Sequence, residues 1–223
     1  MNRRVFLSLG AAGAIGLAGG TRRVSAQPQA QAPVPVAGDD IPLGQSRLGI
    51  ADGPRDGSVY VPRSYQKGTP MPVLMMLHGY GGGAESVRDT FPLAEAFGAI
   101  VIAPESRDVT WGRSIPGFDT DVRYLGMAYR WVSQLLSVDP TRVALGGVSD
   151  GAGYALGMGL AYGHTFNHLL IFSAGLMQPF RKEGTPRIFL AHGLRDEQMP
   201  IDRTARMFVP HMKGHVRIPS ELG

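Results

Sequence analysis

No cysteine occurs in the 223 residues. Disulfides, thiolate nucleophiles and Cys-based metal sites are therefore excluded, and the folded chain must draw its stability from its core alone. No apolar run reaches the length of about 20 residues that a membrane-spanning helix needs; Leu7 to Gly20 stops short and is rich in glycine. No cluster of Lys and Arg follows residue 23, so no nucleic-acid groove or basic membrane patch is expected. A phosphate loop is also missing. The Gly-rich stretch His78-Gly79-Tyr80-Gly81-Gly82-Gly83 lacks the lysine and the Ser/Thr that would hold a nucleotide. No internal repeat is present, and neither a cofactor nor a metal is implied.

The net charge of +4 belongs to one short segment. Arg3, Arg4, Arg22 and Arg23 carry it with no acid among them, and without these four the remaining basic residues equal the 18 acidic ones. Asn2-Arg3-Arg4-Val5-Phe6-Leu7 resembles a twin-arginine export motif, and Val24-Ser25-Ala26 resembles an A-x-A cleavage site. Residues 1–26 are thus expected to be a signal peptide that engages the twin-arginine export machinery transiently. The mature protein would begin at Gln27 and reside in the periplasm or be secreted. The next stretch, 27–44, opens with a Pro/Ala/Gln-rich sequence that cannot bury apolar area and is expected to act as a tether. Residues 45–223 suffice for one domain.

Within that domain, apolar runs alternate with helical patterns. Ser58–Val61, Pro72–Leu77, Ala99–Ala103, Val143–Gly147, His168–Phe172 and Arg187–Ala191 read as strands. Residues 85–97 read as a helix interrupted at Pro92. Residues 119–137 read as a helix capped by Asp119 or Thr120, with a core stripe of Val122, Leu125, Tyr129, Val132 and Leu136. This alternation predicts an α/β fold, a mostly parallel sheet with helices on both faces.

Chemistry is concentrated where a strand turns abruptly into a helix. In Gly147-Val148-Ser149-Asp150-Gly151 the central serine must take a strained backbone conformation, and the flanking glycines let strand and helix approach closely. A serine raised at the carboxyl end of a buried strand is a candidate nucleophile. The glycine loop after Leu77 can bring backbone amides close to a substrate oxygen.

Three motifs in order, His78-Gly79 with its glycine tail, Gly147-Val148-Ser149-Asp150-Gly151, and Ala191-His192-Gly193-Leu194-Arg195-Asp196, resemble the α/β-hydrolase superfamily. The likeness runs from about residue 45 to the C-terminus. Within the superfamily the chain is similar to small bacterial esterases of the phospholipase/carboxylesterase and polyhydroxybutyrate-depolymerase-like group. The resemblance implies Ser149 as nucleophile, the Tyr80 and Asp150 amides as oxyanion hole, and Asp196 as triad acid. Asp202 competes with Asp196 but reads as the N-cap of a following helix. The base is expected after the acid, which sets aside His164 and His168; His192 and His78 read as loop supports. His215, in Gly214-His215-Val216-Arg217-Ile218-Pro219, matches the family's histidine signature, with His211 as the alternative. The resemblance also places Trp111 near the acyl pocket, where it is expected to form part of the substrate wall.

The sequence departs from the family between Asp196 and His215, which lie too close for a helix and an eighth strand. A sheet without its last strand and C-terminal helix is expected. The activity implied is a carboxylic-ester hydrolase working on a small or acyl ester through an acyl-enzyme; the alternative is a truncated or degenerate, non-catalytic homologue.

Overall fold

Apolar stretches, Met71–Leu77, Ile100–Pro104 and residues 143–148, form the middle of the sheet, as parallel strands covered on both faces require. The computed structural model describes residues 41–51, 53–112, 120–175 and 182–202. In chain order the elements are β1 (Gly44–Arg47), β2 (Gly57–Val61), β3 (Met71–Leu77), a 3-10 helix (Ala84–Val87), α1 (Thr90–Phe97), β4 (Ile100–Pro104), α2 (Thr120–Leu135), β5 (Val138–Val148), α3 (Asp150–Ala161), β6 (His168–Phe172) and β7 (Arg187–Ala191). The seven strands form one sheet in the order β1-β2-β4-β3-β5-β6-β7. β1, β2 and β4 pair antiparallel, whereas β4, β3, β5, β6 and β7 run parallel.

Alternation along the strands divides the core in two. Val73, Met75 and Leu77 of β3 join a large cluster with Tyr124, Leu125, Ala128, Trp131 and Val132 of α2 and with Ala152, Ala155 and Leu156 of α3. Met76, with Val101 and Ala103 of β4, meets Phe91 and Ala94 of α1 in a smaller cluster. Helices therefore cover both faces, and the α/β architecture expected from the sequence is the one observed.

The details differ at several places, and β5 begins five residues before the expected Val143. The helix expected over 85–97 divides at residues 88–89, and Pro92 lies inside the first turn of α1, where its missing N–H would have no helical acceptor in any case. The buried stripe of α2 is centred on Tyr124, Leu125, Ala128, Trp131 and Val132, with Val122 and Tyr129 only at its flanks. β1, Gly-Gln-Ser-Arg with a half-exposed alternation, had no apolar run to announce it. Ile41 is 8% exposed and already packs in the core, so the domain reaches into the stretch expected to be a tether. The expected signal peptide, the Asp119 cap and the expected absence of a last strand and helix lie outside the described residues. Among the described residues, no helix is long and apolar enough to cross a membrane.

Candidate active site

β5 ends at Val148, and the chain reverses into α3 through Ser149, whose backbone stands at φ 54, ψ −118. A non-glycine residue in this region is strained and persists only where its surroundings fix it. Here they do. The Ser149 N–H donates to the Phe172 carbonyl at 3.0 Å, and its own carbonyl accepts the amides of Gly175 at 2.8 Å and Ala152 at 3.1 Å.

The two glycines around it are required by space. A Cβ on Gly147 would stand 2.5 Å from the Gly151 carbonyl oxygen, and a Cβ on Gly151 would stand 2.3 Å from the His78 carbonyl oxygen. Both clashes are with backbone, which cannot rotate away. The serine corner is therefore pressed against the exit of β3, and an added Cβ on Gly79 would lie only 3.5 Å from the Ser149 Cβ. Of the two residues expected to supply oxyanion amides, Tyr80 follows Gly79 directly and is 63% exposed, and Asp150 opens α3, where the helix dipole is positive.

The loop after β3 rests on a buried polar frame. His78 is fully buried; its Nε2 accepts the Ser106 N–H at 3.0 Å and its Nδ1 donates to the Gly79 carbonyl at 2.7 Å. Burial lowers the pKa of this imidazole, and the positive charge of Arg55 lowers it further, which keeps the ring neutral in that tautomer. Trp111 Nε1 donates to the His78 carbonyl at 2.8 Å, and the indole packs between His78 and Tyr154 of α3. With 1% exposure, Trp111 is a strut joining the loop to α3.

Beneath this frame lies Asp56, 1% exposed. Its carboxylate accepts the amides of Gly49, Ile50 and Ala51 at 2.6, 3.2 and 3.1 Å, Arg47 Nε at 3.1 Å, and the Tyr124 hydroxyl at 3.0 Å. Burial, and then the neighbouring carboxylate, push the Tyr124 pKa up, so its hydroxyl stays a donor.

Asp196 follows β7, at the same carboxyl edge of the sheet as Ser149. Val148, Phe172 and Ala191 are aligned across β5, β6 and β7, which puts the two loops about 10 Å apart at a strand spacing of ~4.8 Å. The Asp196 Oδ1 accepts the Gln198 and Met199 amides at 3.1 and 2.9 Å. Its Oδ2 lies 3.5 Å from His192 Nε2, which also lies 2.6 Å from the Met199 carbonyl. His192 thus bridges the two ends of the loop after β7. Ile201 and Asp202 are helical, so Asp202 sits inside a turn and not at its cap. His215 and His211 lie outside the described residues. Arg55, Ser106 and Asp56 were missed by sequence reasoning, for no motif marks them. Among the described residues, no group of His, Asp and Glu could hold a metal ion.

This sheet order, with a strained serine between β5 and α3, is the fold of the α/β hydrolases. Solved structures with which it aligns include Thermogutta terrifontis esterase 2 phosphonylated by cyclosarin, at TM-score 0.57 and 19% identity over 78% of each chain. Esterase PE8 aligns at TM-score 0.52 and 19% identity over 69% of this chain and 81% of its own. With Staphylococcus aureus FphF the identity is 19% and the TM-score 0.48, and the chain spans 56% of that protein's length. No protein-family model matches the chain, and no curated protein does.

Proposed function

We propose that the chain is an exported serine hydrolase of carboxylic esters. The observation that carries this reading is the strained Ser149, pinned at φ 54 with its Cβ beside Gly79. Strain of this kind at a strand end raises a hydroxyl to meet substrate. In the reaction, Ser149 Oγ attacks the ester carbonyl while His215 takes its proton. The tetrahedral oxyanion is held by the Tyr80 and Asp150 amides, each worth about 3 kcal/mol in a dry site. The alkoxide leaves with the proton from the imidazolium, which Asp196 orients and stabilises, and water then cleaves the acyl-enzyme by the same steps in reverse. The likeness in fold to esterases supports this reading. The signal-like segment 1–26 supports export through the twin-arginine route, with the mature chain beginning at Gln27, a start that mass spectrometry of exported protein would confirm or refute.

The decisive test combines a panel of esters with a fluorophosphonate probe. The wild type should turn over and label, whereas Ser149→Ala should lose turnover by about a million-fold and not label, with its fold intact. Wild type that is folded but inert to both would sink the reading and favour a non-catalytic homologue.

A further inference from the structure

We propose that Arg55 is a positioning residue that locks the loop bearing the Tyr80 amide against the loop after β4. Arg55 lies in the turn before β2, outside every motif of the proposed reaction, and the proposal rests on the ester-hydrolase reading only for the consequence on turnover. Its Nε donates to the Ser106 carbonyl at 2.6 Å, and its Nη2 donates to the Gly82 carbonyl and the Ser106 Oγ, each at 3.0 Å. One planar cation therefore bridges two loops. The same Nη2 stands 3.4 Å from His78 Nε2, the atom that accepts the Ser106 N–H.

These contacts are interdependent. Gly82 is held from the other side by its amide to the Gly79 carbonyl at 3.1 Å, and Gly81 by its amide to the Val109 carbonyl at 2.8 Å. The loop is thus fastened at Gly79, Gly81 and Gly82, on both sides of Tyr80, and Gly82 is tied to Arg55. Lysine could keep the charge but not the fork, since an ammonium is a single point that cannot hold the Ser106 and Gly82 carbonyls in one plane. The positively charged guanidinium, 3.4 Å from His78 Nε2, also disfavours a proton on that nitrogen, which favours the tautomer that donates from Nδ1 to Gly79. An amide aimed at an oxyanion must be held before the reaction begins, because reorganisation during it would forfeit the stabilisation.

The test uses full-length mature enzyme with Arg55→Lys. Hydrogen exchange should accelerate at the Tyr80–Gly83 amides by about 10- to 100-fold, the range set by loss of a charged hydrogen bond, while the β6 and β7 amides are unchanged. Turnover per probe-labelled site should fall over the same range with KM within about twofold, because the oxyanion forms only in the transition state. Exchange at Tyr80–Gly83 equal to wild type in folded Arg55→Lys overturns the proposal, as does unchanged turnover per labelled site. If the wild type hydrolyses no ester, the exchange readout still decides for or against the clamp, and the failure is that of the ester-hydrolase reading alone. If Arg55→Lys does not fold, Ser106→Ala takes its place. It removes one acceptor, and a few-fold acceleration at Tyr80–Gly83 supports the clamp, whereas none overturns it.

Discussion

At the scale of single residues, the serine corner is governed by backbone contacts that no side chain can relieve. Gly151 and Gly159 both lie in α3 and both are buried, yet a methyl group meets different surroundings at each. At Gly151 it would meet the carbonyl oxygens of His78 and Leu77 at 2.3 and 2.8 Å, whereas at Gly159 it would meet the end of the Leu169 side chain at 2.2 Å. Leucine can change rotamer; the end of β3 cannot. Gly151→Ala is therefore expected to cost at least the upper end of the ~1–3 kcal/mol of an overpacked core. Gly159→Ala regains up to about 1 kcal/mol of helix propensity and should lie within ~1 kcal/mol of wild type. Urea unfolding of the two variants would check the ranking, and equal losses would refute it. The glycines at 147 and 151 were legible in the sequence because their spacing around Ser149 has one physical reason. The burial of Trp111 was hidden for the opposite cause: it stands in a loop without periodicity, and only the fold shows that its indole packs against His78.

At the scale of elements, what the sequence hid is mostly polar and long-range. Strands β6 and β7 agree with their expected limits because an apolar run bounded by turn residues has few other places to go. Asp56 could not be found this way. It gathers amides from residues 49–51 and a hydroxyl from Tyr124, 68 positions away, and a lone aspartate before a strand carries no sign of that. The same hub joins the approach to β2 to the first half of α2, and Arg107 stacks on the Tyr124 ring at 3.6 Å. Tyr124→Phe keeps the ring and removes a hydroxyl that meets both the main-chain carbonyl and the carboxylate of Asp56, so a loss of about 1–2 kcal/mol is expected. Asp56→Ala leaves the three amides and Arg47 Nε without their acceptor, while the Tyr124 hydroxyl keeps the main-chain carbonyl of residue 56, and the loss should exceed ~3 kcal/mol. Thermal unfolding of both variants measures this, and an Asp56→Ala protein as stable as Tyr124→Phe would show that the carboxylate is not the hub.

At the scale of the whole molecule, imidazoles that folding withdraws wholly or partly from water make stability depend on pH in a window that carboxylates do not share. Burial lowers the pKa of His78 and of His168, in each case with help from a nearby arginine, Arg55 for the first and Arg187 for the second. In the unfolded chain both return to the ordinary value near 6.5. Below that pH the unfolded chain binds protons that the native protein resists, so the unfolded state gains; above it the difference vanishes and the full stability is present. Glu95 is displaced the other way, held below the usual carboxylate range by the Tyr60 hydroxyl and the Arg63 amide. Its contribution is present above a pH of about 4.5 and is lost only below it. Between pH 7 and pH 5 the histidines therefore act alone among these three groups. The melting temperature should fall steadily across that interval, and His168→Gln, which removes the less buried of the two rings, should flatten part of the slope and leave the part due to His78. A melting temperature that is constant from pH 7 to pH 5 would mean that the loop after β3 accepts a charged His78, and with it that the Nε2 lone pair facing Ser106 and Arg55 is not what holds that loop in place.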